Sequence, residues 1–116
     1  GCVVAAPDVS ANTDCVYTVE ITGTQVDGWD GEYELIHIAG TEWAIGPTNK
    51  RARIYFIGNR WWLVFTDYVG SIVFYADDAA LGRPPESGWT RVPLPWGISG
   101  INSYSGPITL DVSAVC

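Results

Sequence analysis

An all-β domain is predicted for this chain from its length, its turn residues and its short apolar runs. The 116 residues fit one domain. Short runs of β-branched and aromatic residues recur at nearly regular spacing, and no stretch of ten or more residues keeps a helical period. Thirteen glycines and seven prolines fall mostly between these runs. We therefore expect a single-domain antiparallel β-sandwich or small barrel of about seven to eight short strands.

Each predicted strand is a run that lies between segments of turn residues. In chain order the runs are CVYTVEITGT, EYELIHI, EWAIG, ARIYFI, RWWLVFTD, SIVFYA, WTRV and ITLDVSAV. The segments that separate them include DGWDG, GPTNK, GN, YVG, LGRPPESG and PLPWGISGINSYSG. Residues 1–14 are small and polar with one proline, so we expect an N-terminal tail or arm ahead of a β domain of residues 15–116.

The stretch IYFIGNRWWLVF, from Ile54 to Phe65, is predicted to be a tight hairpin. Gly58-Asn59 is a two-residue loop with Gly first, which is preferred in a type II′ turn, and it sets Tyr55 opposite Trp62. Side chains alternate along a strand, so the two strands have two faces. The core face holds Ile54, Phe56, Trp61, Leu63 and Phe65; the second face holds Arg53, Tyr55, Ile57, Arg60, Trp62 and Val64.

The second face of this hairpin has two interpretations. It is either a second packed layer, covered by the tail or by the long loop from Pro93 to Pro107, or a binding surface. Aromatic rings beside arginines suit sugars, which need a ring face and fixed polar groups. They suit a subunit interface equally well, because Trp, Tyr and Arg dominate interface hot spots.

Charge and hydropathy limit the classes of partner and the location. The chain has 6 basic and 13 acidic residues and a net charge of −7. That balance argues against nucleic acid and against docking on anionic lipid. No apolar run approaches the roughly 20 residues that span a bilayer. The start at Gly1-Cys2, without Met, indicates a mature secreted chain whose signal peptide has been removed.

The three cysteines are Cys2, Cys15 and Cys116, with no CxxC pair. An oxidised, extracellular chain fits this pattern better than a zinc or redox motif. A Cys15–Cys116 disulfide is favoured because first and last strands often pair in small β domains. Pairings of Cys2 with either of the others stay open. In the favoured scheme Cys2 is free or forms an intermolecular bond.

Three sequence pieces carry a resemblance to a known kind of module. They are Gly23-x3-Asp27-Gly28-Trp29-Asp30-Gly31-Glu32-Tyr33, then Ala52-Arg53-Ile54-Tyr55-Phe56 with Arg60-Trp61-Trp62-Leu63, then Pro85-Glu86-Ser87-Gly88-Trp89. Their order over residues 17–92 resembles a loosely defined extracellular β module with the pattern G-x-NG-x-Y, I-Y-Y, R-W-x-I and P-x-x-GW. The pattern is similar to some secreted marine invertebrate lectins. The resemblance implies a β fold, an extracellular setting and glycan binding; it assigns no individual binding residue.

Signals for catalysis or a cofactor are sparse. His37 is a lone strand histidine and no GxSxG motif occurs, so we expect a protein that is not an enzyme. Calcium is the one metal considered, because Asp27, Asp30 and Glu32 offer three hard oxygen ligands in one turn. The alternative is a turn in which the aspartates bond their own backbone.

Two functions follow from this sequence. The first is a secreted, non-catalytic, lectin-like domain that binds glycans. The second is a structural or assembly subunit that joins copies of itself into oligomers or filaments, through Cys2 or through Val3 and Val4 added to a neighbour's sheet edge. The residues expected to bind the partner are Arg53, Tyr55, Arg60, Trp62, Trp29 and Trp96.

Overall fold

The computed structural model describes residues 7–24, 29–67, 70–77, 82–92 and 107–116. They form an antiparallel all-β domain, which confirms the predicted fold class. The strands are β1 (Val16–Thr22), β2 (Gly31–Ala39), β3 (Glu42–Ala44), β4 (Ala52–Ile57), β5 (Arg60–Asp67), β6 (Gly70–Ala76), β7 (Thr90–Arg91) and β8 (Thr109–Val115). They hydrogen-bond in the order β7-β6-β5-β4-β3-β2-β1-β8. Each one coincides with a predicted run.

The sheet curls into a half-barrel around one core. Alternate side chains of β1 point inward, so Tyr17, Val19 and Ile21 are fully buried. Curling brings distant strands together: the rings of Tyr33 on β2 and Phe65 on β5 lie 5.5 Å apart. The other large buried side chains of the core include Leu35, Trp43, Ile54, Trp61, Leu63 and Ile72. The outward side chains of the same strands face solvent and form the surfaces discussed below.

The β4–β5 hairpin has the predicted register. Tyr55 lies opposite Trp62 and Phe56 opposite Trp61. Trp61 is fully buried and Trp62 is only half-buried, so the two adjacent tryptophans do lie on opposite faces. The predicted turn type was wrong. Gly58 and Asn59 both have positive φ, 64° and 70°, which defines a type I′ turn, and Asn tolerates that conformation better than other non-glycine residues.

The two ends of the domain are joined by a disulfide between Cys15 and Cys116. The bond extends the β1–β8 ladder, in which Val16 pairs with Val115. The pairing favoured from the sequence is thereby confirmed. Cys2, Val3 and Val4 lie outside the described residues.

The described part of the predicted N-terminal arm, residues 7–14, lies against the domain. Val9 packs on the core. The side-chain amide of Asn12 donates to the carbonyl oxygen of Gly82 at 3.0 Å. The hydroxyl of Tyr17 donates to the carbonyl oxygen of Pro84 at 2.5 Å. These contacts tie residues 82–84 to the N-terminal residues and to β1. In the described part of the chain, no helix is long and apolar enough to cross a membrane.

Candidate functional site

The outward side chains of β4, β5 and β6 form a surface that we call the aromatic face. Two ladders align its rings, because Tyr55 pairs with Trp62 and Trp62 pairs with Tyr75. The rings of Trp62 and Tyr75 are 6.1 Å apart and tilted by 55°. Other members of the face are Arg53, Ile57, Arg60, Val64, Ser71 and Val73. Four predicted binding residues, Arg53, Tyr55, Arg60 and Trp62, are therefore brought together here.

Tyr75 belongs to this face and was not among the predicted binding residues. The signal that identifies it is the alternation of SIVFYA, in which Tyr75 shares a face with Val73 and Ser71. Assigning Tyr75 to the aromatic face also requires the pairing of β5 with β6, which places Trp62 opposite Tyr75.

Both arginines of the aromatic face lie over its rings. The guanidinium carbon of Arg53 is 4.3 Å from the ring centre of Tyr55. That of Arg60 is 4.1 Å from the ring centre of Tyr75 and 5.7 Å from that of Trp62. Cation–π contacts of this kind hold the guanidiniums in place. Part of the ring surface that a ligand would otherwise contact is therefore covered by this chain's own arginines.

Each arginine also holds a carboxylate. Arg60 Nε lies 2.8 Å from Asp77 Oδ1, and Arg53 Nη1 lies 3.5 Å from Glu42 Oε2. The indole N–H of Trp62 donates to the carbonyl oxygen of Ile57 at 2.8 Å, across the end of the hairpin. These contacts engage polar atoms of the face with groups of the same chain.

An open groove of about 370 Å³ remains on the aromatic face. It is lined by Tyr55, Ile57, Gly58, Trp62, Val64, Ser71 and Val73. Ser71 is the one lining residue with a polar side chain apart from the rings, and its hydroxyl is 2.9 Å from that of Thr66. Ile57 is 62% exposed at the rim. The groove suits an apolar partner surface.

The outward side chains of β8, β1 and β2 form a second surface, which we call the acidic face. Its centre is a row across three strands, because Glu20 pairs with Glu32 on one side and with Asp111 on the other. The neighbouring row contains Thr18, Ser113 and Glu34. Val16 and Val115 pair at one end of the face, and Ile36 lies beside them on β2. All four acidic side chains are exposed.

Trp29 does not belong to either surface. It is 2% exposed and lies in the core cluster, and its carbonyl oxygen accepts a hydrogen bond from the Tyr33 hydroxyl at 2.6 Å. The prediction that Trp29 is an exposed binding residue is therefore wrong. Trp29 lies two residues before β2, and its side chain reaches the interior although the residue lies in a turn. Trp96, like residues 93–106 as a whole, lies outside the described residues.

Asp30 stabilises the turn before β2 through hydrogen bonds. Its carboxylate accepts hydrogen bonds from the backbone N–H groups of Gly23 and Thr24, at 2.9 and 3.0 Å, and from the Thr24 hydroxyl. The Thr24 hydroxyl and the Gly23 N–H hold the pKa of Asp30 below its usual value, because they stabilise the ionised form. Within the described ranges no group of three His, Cys, Asp or Glu side chains is arranged to hold a metal ion. Glu32 lies on the acidic face and Asp27 lies outside the described residues, so calcium stays a prediction.

His37 is held by the fold. Its Nε2 lies 2.7 Å from the carbonyl oxygen of Gly40, and its ring packs edge-on against Trp43 at 4.9 Å. Burial raises the pKa of the Tyr17 hydroxyl. That hydroxyl donates its hydrogen bond to the carbonyl oxygen of Pro84. Contacts within the fold account for the positions of both His37 and Tyr17.

Three comparisons, with protein-family models, with curated proteins and with solved structures, found no match to this chain. The resemblance to a lectin-like module stays a prediction. The function is therefore argued from the two surfaces.

Proposed function

We propose that this chain is a non-catalytic assembly subunit that associates with other copies of itself through the aromatic face. The observation that carries the proposal is the open groove, which is lined by the exposed Ile57 and by Val64 and Val73. Exposed apolar patches on soluble domains mark interaction sites. Trp, Tyr and Arg around an aliphatic centre are the composition of an interface hot spot.

The aromatic rings are partly covered by arginines, which favours a protein partner over a sugar. A sugar ring stacks its C–H groups on an open aromatic face, and the guanidiniums of Arg53 and Arg60 lie over the rings of Tyr55 and Tyr75. The Trp62 indole N–H is already bonded to Ile57. The groove that remains is lined largely by apolar side chains, which a protein surface matches better than a polyhydroxylated ligand does.

The disulfide supports an extracellular setting for this assembly. A disulfide that closes nearly the whole chain persists in oxidising compartments and is rare in the cytosol. Secretion is therefore part of the proposal.

The test is sedimentation velocity over micromolar to millimolar protein, using Cys2→Ser chains so that no disulfide through Cys2 contributes. The parent is expected to associate reversibly. Ile57→Glu introduces a charge at the rim without touching the core, and it is expected to weaken association by about tenfold or more. Thr48→Glu, on an exposed loop, is the matched control and should behave as the parent does.

Two outcomes would contradict the proposal: a parent that stays monomeric at every concentration, or an Ile57→Glu variant that associates as the parent does. Circular dichroism of each variant establishes that the fold is retained.

Glycan binding is a second candidate function, favoured by one observation. Tyr55, Trp62 and Tyr75 form a continuous aromatic row across three strands, which an extended saccharide chain could follow. A glycan array tests it. Hits from the folded parent that are lost in Trp62→Ala would support glycan binding, and the absence of hits would remove it.

A further inference from the structure

The charges of the chain are segregated between the two halves of the sheet. All six basic residues lie between residues 50 and 91, together with four of the thirteen acidic residues. The other nine acidic residues lie outside that stretch, where no basic residue occurs. β4 to β7 fall within the stretch, whereas β1, β2 and β8 fall outside it. The aromatic face therefore belongs to the cationic half and the acidic face to the anionic half.

The acidic face carries an unfavourable arrangement of like charges. Glu20 lies directly opposite both Glu32 and Asp111, and like charges in opposed positions destabilise a sheet. Within the described residues no ion pair involves Glu20, Glu32 or Asp111, so none relieves this row. A cationic surface placed against the row would relieve it.

The aromatic face has the cations for such a contact. A guanidinium has five N–H donors, and the ion pairs of Arg53 and Arg60 with Glu42 and Asp77 use only some of them. Arg53 and Lys50 share the single carboxylate of Glu42. Donors and positive charge therefore remain for a second carboxylate.

The apolar parts of the two faces also match. Three large apolar side chains of the described residues are strongly exposed: Ile57 at 62%, Val115 at 76% and Ile36 at 41%. Ile57 rims the groove of the aromatic face. Val115 and Ile36 lie at one end of the acidic face, on either side of Val16. Each face thus combines an exposed apolar patch with charges, and the charges are of opposite sign.

We infer that the aromatic face of one copy binds the acidic face of the next, in a head-to-tail contact. The inference rests on the proposed function and names the surface that the aromatic face meets. Val115 and Ile36 cover the apolar groove, and the row of Glu20, Glu32 and Asp111 meets the arginines. Because the two faces are different surfaces, each bound pair leaves one aromatic face and one acidic face free. The contact is heterologous and propagates into a ring or a filament.

The test uses two variants in the Cys2→Ser chain. Glu20→Lys reverses the central charge of the acidic face and leaves the aromatic face intact. It also relieves the repulsion from Glu32 and Asp111, so its thermal midpoint should equal or exceed that of the parent. Ile57→Glu disables the aromatic face and leaves the acidic face intact. Thr48→Lys and Thr48→Glu are the matched controls for added charge.

Head-to-tail binding predicts that each variant alone associates about tenfold or more weakly than the parent. It predicts that an equimolar mixture of the two forms a one-to-one complex, because Glu20→Lys supplies the working aromatic face and Ile57→Glu the working acidic face. Association of the parent should weaken as salt rises, since ions screen the charge contacts. Sedimentation velocity measures the self-association of each variant and the salt dependence of the parent. A fluorescent label on one variant identifies the mixed complex.

The contrary outcomes are distinguishable. If Glu20→Lys associates as the parent does while Ile57→Glu is monomeric, the aromatic face binds its own counterpart. The head-to-tail inference then fails and the proposed function stands. If the parent never associates, or if Ile57→Glu associates as the parent does, the proposed function fails and the inference fails with it.

Discussion

The adjacent residues Trp61 and Trp62 show how one position of sequence separates two roles. Trp61 faces the core beside Phe56, with ring centres 5.3 Å apart. Trp62 faces outward, between Tyr55 and Tyr75 on the neighbouring strands. The difference follows from strand alternation once the register is fixed. The type I′ turn at Gly58-Asn59 fixes that register, so both roles could be predicted from a local signal.

Trp29 and Asp30 show which features of single residues neighbouring sequence does and does not predict. A tryptophan between turn residues was expected to be exposed, yet Trp29 is in the core. Whether a turn residue reaches the interior depends on how the half-barrel curls, which distant strand pairing decides. Asp30 matches the alternative considered for the acidic turn, since its carboxylate bonds backbone N–H groups of Gly23 and Thr24.

Asp30→Asn is expected to lower the free energy of unfolding by about 1 kcal/mol at neutral pH, because an amide oxygen accepts hydrogen bonds more weakly than an exposed carboxylate does. The pKa of Asp30 is lowered from 3.8 in the folded state. Its contribution is therefore present above pH 3.8 and is lost as pH falls through the lowered pKa. Urea unfolding at several pH values should show the wild type losing its advantage over Asp30→Asn in acid. An advantage that does not change with pH would contradict this account.

At the scale of elements, the strands themselves were predictable, and the pairing of the first strand with the last was expected, but its register was not. Turn residues separate eight runs, and each run is a strand. The hairpin register follows from a two-residue loop. The acidic face requires the pairing of β1 with β8, which are about as far apart in sequence as the chain allows. No local signal sets the register of that pairing, because it depends on closing a long loop over a shared core. The acidic face was therefore not predicted.

Two glycines test how residues 7–14 are held. Gly58 and Gly82 have nearly the same φ, 64° and 65°. A Cβ at Gly58 meets nothing within 4 Å, whereas a Cβ at Gly82 would lie 2.7 Å from the carbonyl oxygen of Asp8. Gly58→Ala should lower the free energy of unfolding by about 1 kcal/mol, the conformational cost alone.

Gly82→Ala is expected to lower the free energy of unfolding by roughly twice as much or more, because residues 7–14 must also move. Chemical denaturation of both variants provides the comparison. Equal costs would mean that residues 7–14 do not pack on this loop in solution.

At the scale of the whole molecule, the Cys15–Cys116 disulfide closes the chain over a separation of 101 residues. Constraining so long a loop in the unfolded state is expected to raise the free energy of unfolding by about 4–5 kcal/mol. The measurement compares Cys2→Ser with the chain that also carries Cys15→Ser and Cys116→Ser. A difference below about 1 kcal/mol would show that the disulfide adds little to β1–β8 pairing.

The relation between the aromatic face and the acidic face was not predicted from the sequence. Net charge suggested an acidic molecule, but β4, β5 and β7 carry basic residues, whereas β1, β2 and β8 carry none. Self-association through the aromatic face uses that asymmetry. It needs neither a catalytic group nor a metal among the described residues.

The most direct test of self-association is a concentration series of two-dimensional ¹H–¹⁵N spectra of the Cys2→Ser chain, from micromolar to millimolar protein. The account predicts that the indole N–H signal of Trp62 and the amide signals of Ile57 and Val73 shift or broaden as concentration rises. Head-to-tail binding adds the amides of Glu20 and Val115, while the exposed loop at Thr48 stays unchanged. Spectra that are independent of concentration, or shifts confined to residues outside the aromatic face, would contradict the central claim.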